Sequence, residues 1–242
     1  LVGPAGLGGC SARVGRLSQG EVVDSPPKSS ARRAARQHRW VRGDWQIARW
    51  LLPCVPTASG ARVANVLTPI SRFKIADNLR RSLTPPASLA LLTAGWFALP
   101  GRPLIWTALA LGHYLAPLFF ELLRFRWSEL RWPALRLLLN LAILPDQARQ
   151  NVDAAVRSLW RVYVTRRNLL EWETAAEAQR RLTDSSRYLM RHGAPLAAIL
   201  AALAVWRFDR LRVSWPTALP VALCWLSAPA LARWLDQRYL TR

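Results

Sequence analysis

The eighteen residues from 36 to 53, RQHRWVRGDWQIARWLLP, hold four Arg, three Trp, two Gln, a His and an Asp. A guanidinium is planar and always charged, and it can take a phosphate through two parallel hydrogen bonds. An indole covers the apolar face of a sugar while its N–H stays free for a hydroxyl. As chemistry, the guanidinium groups of this stretch suit a phosphate and its indoles suit a sugar face. The same types also suit a helix at a membrane surface, where Arg meets lipid phosphate and Trp sits at headgroup depth.

Either chemistry needs a helix to carry it. Trp40, Val41, Trp45, Ile47, Ala48 and Leu51 are interleaved with Arg39, Arg42 and Arg49, which predicts an interfacial helix over 38–53 ended by Pro53 and Pro56. Residues 1–35 are rich in Gly, Ser, Pro and Arg without an apolar period, so order is expected to begin near Arg36. A loop containing TASGARVAN leads to a second amphipathic helix over 69–83. Two apolar segments follow, PPASLALLTAGWFALP and LIWTALALGHYLAPLFFELL, joined by a turn at 100–103. Arg124, Arg126, Arg131 and Arg136 beyond them, against Arg102 alone in the turn, put both ends of this hairpin in the cytoplasm. Residues 134–145 are too short to span and read as re-entrant or interfacial. The next helix is expected to present Val152, Val156, Leu159 and Tyr163 on one face, with Arg157 and Arg161 opposite. Glu177 and Arg181 pair four residues apart, and segments 194–206 and 216–235 make a second hairpin. The basic flank RFDRLR would then lie outside, against the positive-inside rule.

Composition agrees with a membrane class. The 242 residues carry Lys+Arg 34 against Asp+Glu 14, a net charge of +20, yet are 52% hydrophobic with thirteen Trp. A disordered chain would lack those aromatics, and an ordinary soluble domain would not combine such charge with such runs. No cleavable leader is visible and the first residue is Leu, so the chain reads as a fragment. Cysteines at 10, 54 and 224 have neither disulfide nor metal spacing. The expected fold is mainly α: multi-span membrane helices with interfacial amphipathic helices, at the C-terminal end of a glycosyltransferase domain. Its parts are a poorly ordered remnant (1–35), interfacial helices (36–82), a transmembrane hairpin (83–125), cytoplasmic or interfacial helices (126–193) and a second hairpin (194–242).

QIARW at 46–50 fits the Gln-x-x-Arg-Trp pattern of processive membrane glycosyltransferases, and HRW at 38–40 offers a second Arg-Trp pair. The longer string RQHRWVRGDWQIARWLLPCVP resembles the cyclic beta-1,2-glucan synthases, whose transferase module carries Arg-Arg-His-Arg-Trp-Ile-Arg-Gly-Asp-Trp-Gln before its membrane helices. Further matches follow in order: SRFKIADNLRRSL, DAAVRSLWRVYVTRRNLLEWETAAEAQRR and WLSAPALARWL. The resemblance covers about residues 36–240. It implies glucosyl transfer from UDP-glucose onto a growing beta-1,2-glucan at the cell inner membrane, with a divalent metal (Mg or Mn) in the intact enzyme and none bound by this stretch. By position, His38, Arg39, Trp40, Arg42, Asp44, Trp45 and Gln46 match the family string. The resemblance places Arg39, Arg42, Gln46 and Arg49 near the donor diphosphate and Trp40, Trp45 and Trp50 near the acceptor glucan, with either Arg-Trp pair able to do the work.

The departures carry equal weight. Where the family has Ser-His-Asp-Leu-x-Glu-Gly, this sequence has Ala5 for the Asp and Gly8 for the Glu, so the catalytic base is missing and the catalytic residue is unknown. No Asp-x-Asp occurs. The resemblance puts the donor-binding half before residue 1 and a phosphorylase-like domain after Arg242, so the stretch is expected to be inactive alone. The rival class is a non-catalytic cationic membrane protein that docks or stabilises an assembly. Asp44 reads as an ion-pair partner of Arg42, His113 as a neutral His bonded to a neighbouring helix, and Asn140 as an interhelical amide. Glu121 and Asp209 lie near span ends. Anionic lipids, rather than nucleic acid, are the expected partners of the basic runs at 28–36 and 157–167.

Overall fold

The structure, a computed structural model, describes residues 30–56, 61–125, 127–167, 193, 195, 197–199 and 215–240. Five α-helices dominate it: α1 (Ser30–Gln46), α2 (Pro69–Phe97), α3 (Pro103–Leu123), α4 (Arg131–Trp160) and α5 (Trp215–Leu240). Short 3-10 turns cover Ala48–Leu51 and Trp127–Glu129, and a π-helical turn, Arg161–Thr165, extends α4. Cys54–Pro56 pairs antiparallel with Arg62–Ala64, a hairpin where only a loop was expected.

Two long helices organise the rest. α2 has 29 residues and α4 has 30, lengths of about 45 Å each. Their N- and C-terminal halves respectively meet α1 in a cationic part, and their other halves meet α3 and α5 in an apolar part. In the apolar part Leu92, Trp96, Leu111, Ala142, Leu144, Ala222 and Trp225 form the core, with Trp96 and Trp225 rings 6.1 Å apart. Trp96 Nε1 donates to Thr107 Oγ1 at 2.9 Å, and that hydroxyl donates to the Pro103 carbonyl, so the indole N–H is satisfied. The α2–α3 turn closes at Gly101, whose φ of 92° suits glycine. Gly95 lets the helices touch there, because a Cβ on it would collide with the Cβ of Trp106.

Prolines inside helices set local bonding. Pro86 has no N–H, so the carbonyl of Ser82, four residues earlier, loses its helical partner. Asn151 on α4 replaces it, donating Nδ2–H to that carbonyl at 2.8 Å. α2 therefore runs unbroken through the proline pair. Thr68 caps its start, accepting from Ser71 N at 3.3 Å, with Pro69 in the first helical position.

Several expectations are corrected. The helix expected over 38–53 begins at Ser30 and ends at Gln46, with the 3-10 turn after it. Its start is earlier because the Arg/Ala run favours helix and Ala34 and Ala35 are buried. Leu52 is extended, as a residue before proline tends to be. Residues 134–145 are no separate segment but the first half of α4, with Pro145 carried inside the helix. The face of Val152, Val156 and Tyr163 is exposed, and α4 buries Ala148, Asn151, Ala154, Ala155 and Ser158 instead, because small residues let α1 and α2 approach. Among the described residues two helices are long and apolar enough to cross a membrane, Pro103–Leu123 and Trp215–Trp234. The apolar half of α2 is not one of them. The Glu177–Arg181 pair, Asp209, the RFDRLR flank and most of 194–206 lie outside the described residues.

Candidate phosphate- and sugar-binding face of α1

At 100° per residue, Ala34, His38, Val41 and Trp45 form one stripe of α1, and Val41 is 1% exposed. This stripe is pinned by polar side chains on two helices. His38 Nε2 lies 2.9 Å from Asp153 Oδ2 on α4. Trp45 Nε1 donates to Ser82 Oγ on α2 at 3.0 Å, and Ser158 Oγ on α4 donates to the Arg42 carbonyl at 3.1 Å. Ser82 thus joins three helices: its hydroxyl takes the indole N–H of α1 and its carbonyl takes the Asn151 amide of α4.

Arg39, Arg42 and Gln46 follow at spacings of three and four, so they share the side of α1 next to that stripe. Arg39 Nε is buried without a hydrogen-bond partner. No hydrogen bond or ion pair joins Arg39 to any described residue. Trp40 lies roughly 100° further round, 57% exposed, with the Arg36 guanidinium 5.0 Å from its ring centroid. The second Arg-Trp pair is placed differently. Arg49 donates Nη2–H to the Val162 carbonyl at 3.5 Å and stacks 4.4 Å from the Tyr163 ring centroid, so it fastens the 3-10 turn to the end of α4. The Trp50 carbonyl accepts from Asn65 Nδ2 at 2.6 Å, and the same amide reaches Leu52 O at 2.8 Å. Asn65 therefore ties the hairpin under the turn.

Burial holds His38 below its ordinary pKa; Asp153 pulls it upward, and Arg42 and Arg157 push it down. Burial works to raise the Asp153 carboxyl, but Arg157 and His38 together hold it below the usual carboxylate range. Asp44 is raised by burial, and its hydrogen bond from Asn78 Nδ2, 3.1 Å, works against that. The expected Asp44–Arg42 ion pair is not formed: Asp44 lies on the α2 side, where the Asn78 amide reaches it. His113 lies against Tyr114, ring centroids 3.6 Å apart and planes tilted by 45°, instead of bonding to another helix. Asn140 makes no hydrogen bond to a described residue, and the interhelical amide is Asn151.

Sequence reading missed Asn78, Ser82, Asn151, Asp153 and Ser158, which position α1. One signal was available: Pro86 announces an orphaned carbonyl at Ser82 that needs a donor. Among the described residues no three His, Cys, Asp or Glu side chains group as metal ligands. Asp44 and Asp153 beside α1 are engaged with Asn78, His38 and Arg157. These residues do not fit a divalent cation.

The fold and this face define a mainly helical, strongly cationic module with two helices of membrane-spanning length. No family model matches the chain. The chain is 32% identical over 249 aligned positions to cyclic beta-(1,2)-glucan synthase NdvB of Rhizobium meliloti, a match covering 96% of this chain and 8% of that relative. Along nearly its whole length, the chain is thus related to one segment of a cyclic beta-(1,2)-glucan synthase.

Proposed function

We propose that this stretch serves a membrane glucosyltransferase that builds cyclic beta-1,2-glucan from UDP-glucose, supplying part of its phosphate- and glucan-binding surface beside the inner membrane. The match to the synthase carries the reading. Within α1 the first Arg-Trp pair is the better candidate. Arg39 has a buried Nε with no hydrogen-bond partner beside an exposed Trp40, whereas Arg49 is spent on Val162 and Tyr163. Arg39, Arg42 and Gln46 would face the leaving diphosphate, with Arg39 and Arg42 about 4.5 Å apart along the axis. Trp40 would lie under the acceptor glucan, while Trp45, Trp50 and Arg49 hold the face in shape. Transfer also needs a carboxylate to take the acceptor proton. Asp44 and Asp153 are bonded elsewhere, so this stretch binds and does not abstract the proton.

The apolar helices support a membrane setting. In water an apolar helix hides its side chains, yet only 22% of the apolar window of α3 and 28% of that of α5 is buried. A helix as rich in Arg as α1 also suits the cytoplasmic face, where the leaflet is anionic. The divalent metal and the multi-pass topology belong to the proposal for the longer enzyme.

The rival, a cationic membrane protein that docks an assembly, has one observation in its favour. Val152, Val156, Trp160, Tyr163 and Val164 form an exposed apolar stripe along α4 and its π-helical turn. UDP and glucan-oligomer binding to the chain in nanodiscs separates the two. Binding lost in the Arg39→Ala/Trp40→Ala variant supports the transferase reading. Binding that follows only anionic lipid and salt, and ignores the substitutions, supports the rival.

A further inference from the structure

His38 stands one residue before Arg39 and about 6 Å along the axis, one helical turn, before Arg42. Its imidazole is largely enclosed between α1 and α4, 20% exposed. Nε2 lies 2.9 Å from Asp153 Oδ2, and the other oxygen of that carboxylate takes the Arg157 Nε–H at 2.7 Å. A carboxylate only accepts, so neutral His38 carries its hydrogen on Nε2 and has Nδ1 left for a second proton. Arg157, Asp153 and His38 thus form a chain of hydrogen bonds that ends at the phosphate face.

The charges around the ring decide when Nδ1 is occupied. Asp153 and Arg157 face it from α4, and Arg42 faces it from α1 itself. α2 meets α1 through the uncharged Asn78 and Ser82. Arg49 of the 3-10 turn is stacked on Tyr163, and Arg233 of α5 reaches back to the Pro229 carbonyl. With the face empty, burial opposes the second proton most, Asp153 favours it, and Arg42 and Arg157 add to the opposition. A bound diphosphate shifts that balance, because its negative charge offsets the guanidinium charge that His38 feels. Arg42 is already engaged within the fold, and the open donor beside it is the buried Arg39 Nε.

We propose that His38 is the proton-linked regulator of this face: a diphosphate held at Arg39 beside Arg42 draws a proton from solvent onto His38 Nδ1, and loss of that proton weakens the hold. The regulation rests on the phosphate-binding reading proposed above. Linkage makes the effect reciprocal, so whatever the anion adds to proton affinity the proton adds to anion affinity. Affinity is flat at high pH, where His38 is neutral in both states. It rises as pH falls through the range where only the occupied face holds the proton.

The test uses the full chain in phosphatidylcholine nanodiscs with UDP-glucose as the probe, since its diphosphate keeps the same charge from pH 5 to 8. Binding should be about three- to tenfold tighter at pH 5.5 than at pH 7.5, tenfold being one pKa unit of linkage. Calorimetry in buffers of different ionisation enthalpy should show net proton uptake on binding in between. His38→Gln should bind with the parent's pH 7.5 affinity at every pH and take up no proton. Arg157 is 60% exposed, so Arg157→Gln is expected to fold; with one opposing cation gone, the rise in affinity should move to higher pH. Binding without proton uptake overturns the proposal, and so does a slope that survives in His38→Gln. An Arg157→Gln profile that superimposes on the parent's overturns it as well, even where His38→Gln fails to fold. Failure of the underlying reading looks different. UDP-glucose that binds at no pH, or binds regardless of Arg39→Ala, removes the phosphate face and its regulation together.

Discussion

A missing hydrogen on Pro86 decides much of how α1 is held. Its absence orphans the Ser82 carbonyl, Asn151 fills the gap from α4, and the Ser82 hydroxyl then receives Trp45. Asn151→Ala should cost about 1–3 kcal/mol in thermal unfolding of the chain in micelles, since the carbonyl stays buried without a donor. In a Pro86→Ala background the backbone N–H returns, so the same substitution should cost clearly less; equal costs in both backgrounds would remove Asn151 from this role. His38 predicts a pH dependence. Its folded pKa lies below the ordinary 6.5, with burial the main cause, Asp153 opposing, and Arg42 and Arg157 adding to burial. The unfolded chain therefore takes the proton first as pH falls. Stability contributed by neutral His38 is intact above 6.5 and declines below it until the folded value is passed. Asp153, held low, keeps its contribution above 3.8 and loses it only in stronger acid. Unfolding followed from pH 7.5 to 5 should show this slope, and His38→Gln should flatten it; an unchanged slope would assign it to another group. The Arg and Trp types of the face were legible in sequence, but which of them are spent on the fold was not, because Val162, Tyr163 and Ser82 lie more than thirty residues away from the side chains they engage.

Helix boundaries show what local sequence can and cannot carry. Pro103 starting α3 and the turn at Gly101 could be read directly, since proline fits a first helical position and glycine a positive φ. The proline pair at 85 and 86 pointed equally to a break between an interfacial helix and a span, yet α2 continues because a donor on another helix repairs it. Which face of α4 packs inward was not legible for a related reason. Helical period identified Val152, Val156 and Tyr163 as one face, but period does not say which face is inward when small residues permit closer packing. Close packing also governs the α2–α3 hairpin. Gly95→Ala would place a methyl group against Trp106, and the expected cost is about 1–3 kcal/mol with a shift in tryptophan emission. A variant as stable as the parent, with unchanged emission, would mean that the helices part freely at that point.

At the scale of the whole molecule, charge and hydropathy foretold a helical cationic membrane class, and the two long apolar helices agree with it. The role of α2 was not legible, because an apolar half-helix looks alike whether it packs in a bundle or crosses lipid. Leu109 offers a clean test of the solvent around α3, being 60% exposed. On a water-facing surface Leu109→Arg should change stability by no more than about 0.5 kcal/mol. Facing lipid near the middle of a span it should oppose insertion by about 2.5–3.5 kcal/mol, seen as a fall in membrane-integrated chain in a translocation assay. The proposal for Arg39 and Trp40 is tested most directly in the longer enzyme. The segment of the Rhizobium synthase that matches residues 36–240 is replaced by those residues, leaving the synthase's own upstream segment in place, and cyclic glucan made from labelled UDP-glucose by washed membranes is measured with and without Arg39→Ala and Trp40→Ala. The account predicts synthesis by the unsubstituted chimera and at least a hundredfold loss in each variant, about 2.7 kcal/mol, with the protein still in the membrane fraction. Variants that make as much glucan as the parent chimera would contradict it.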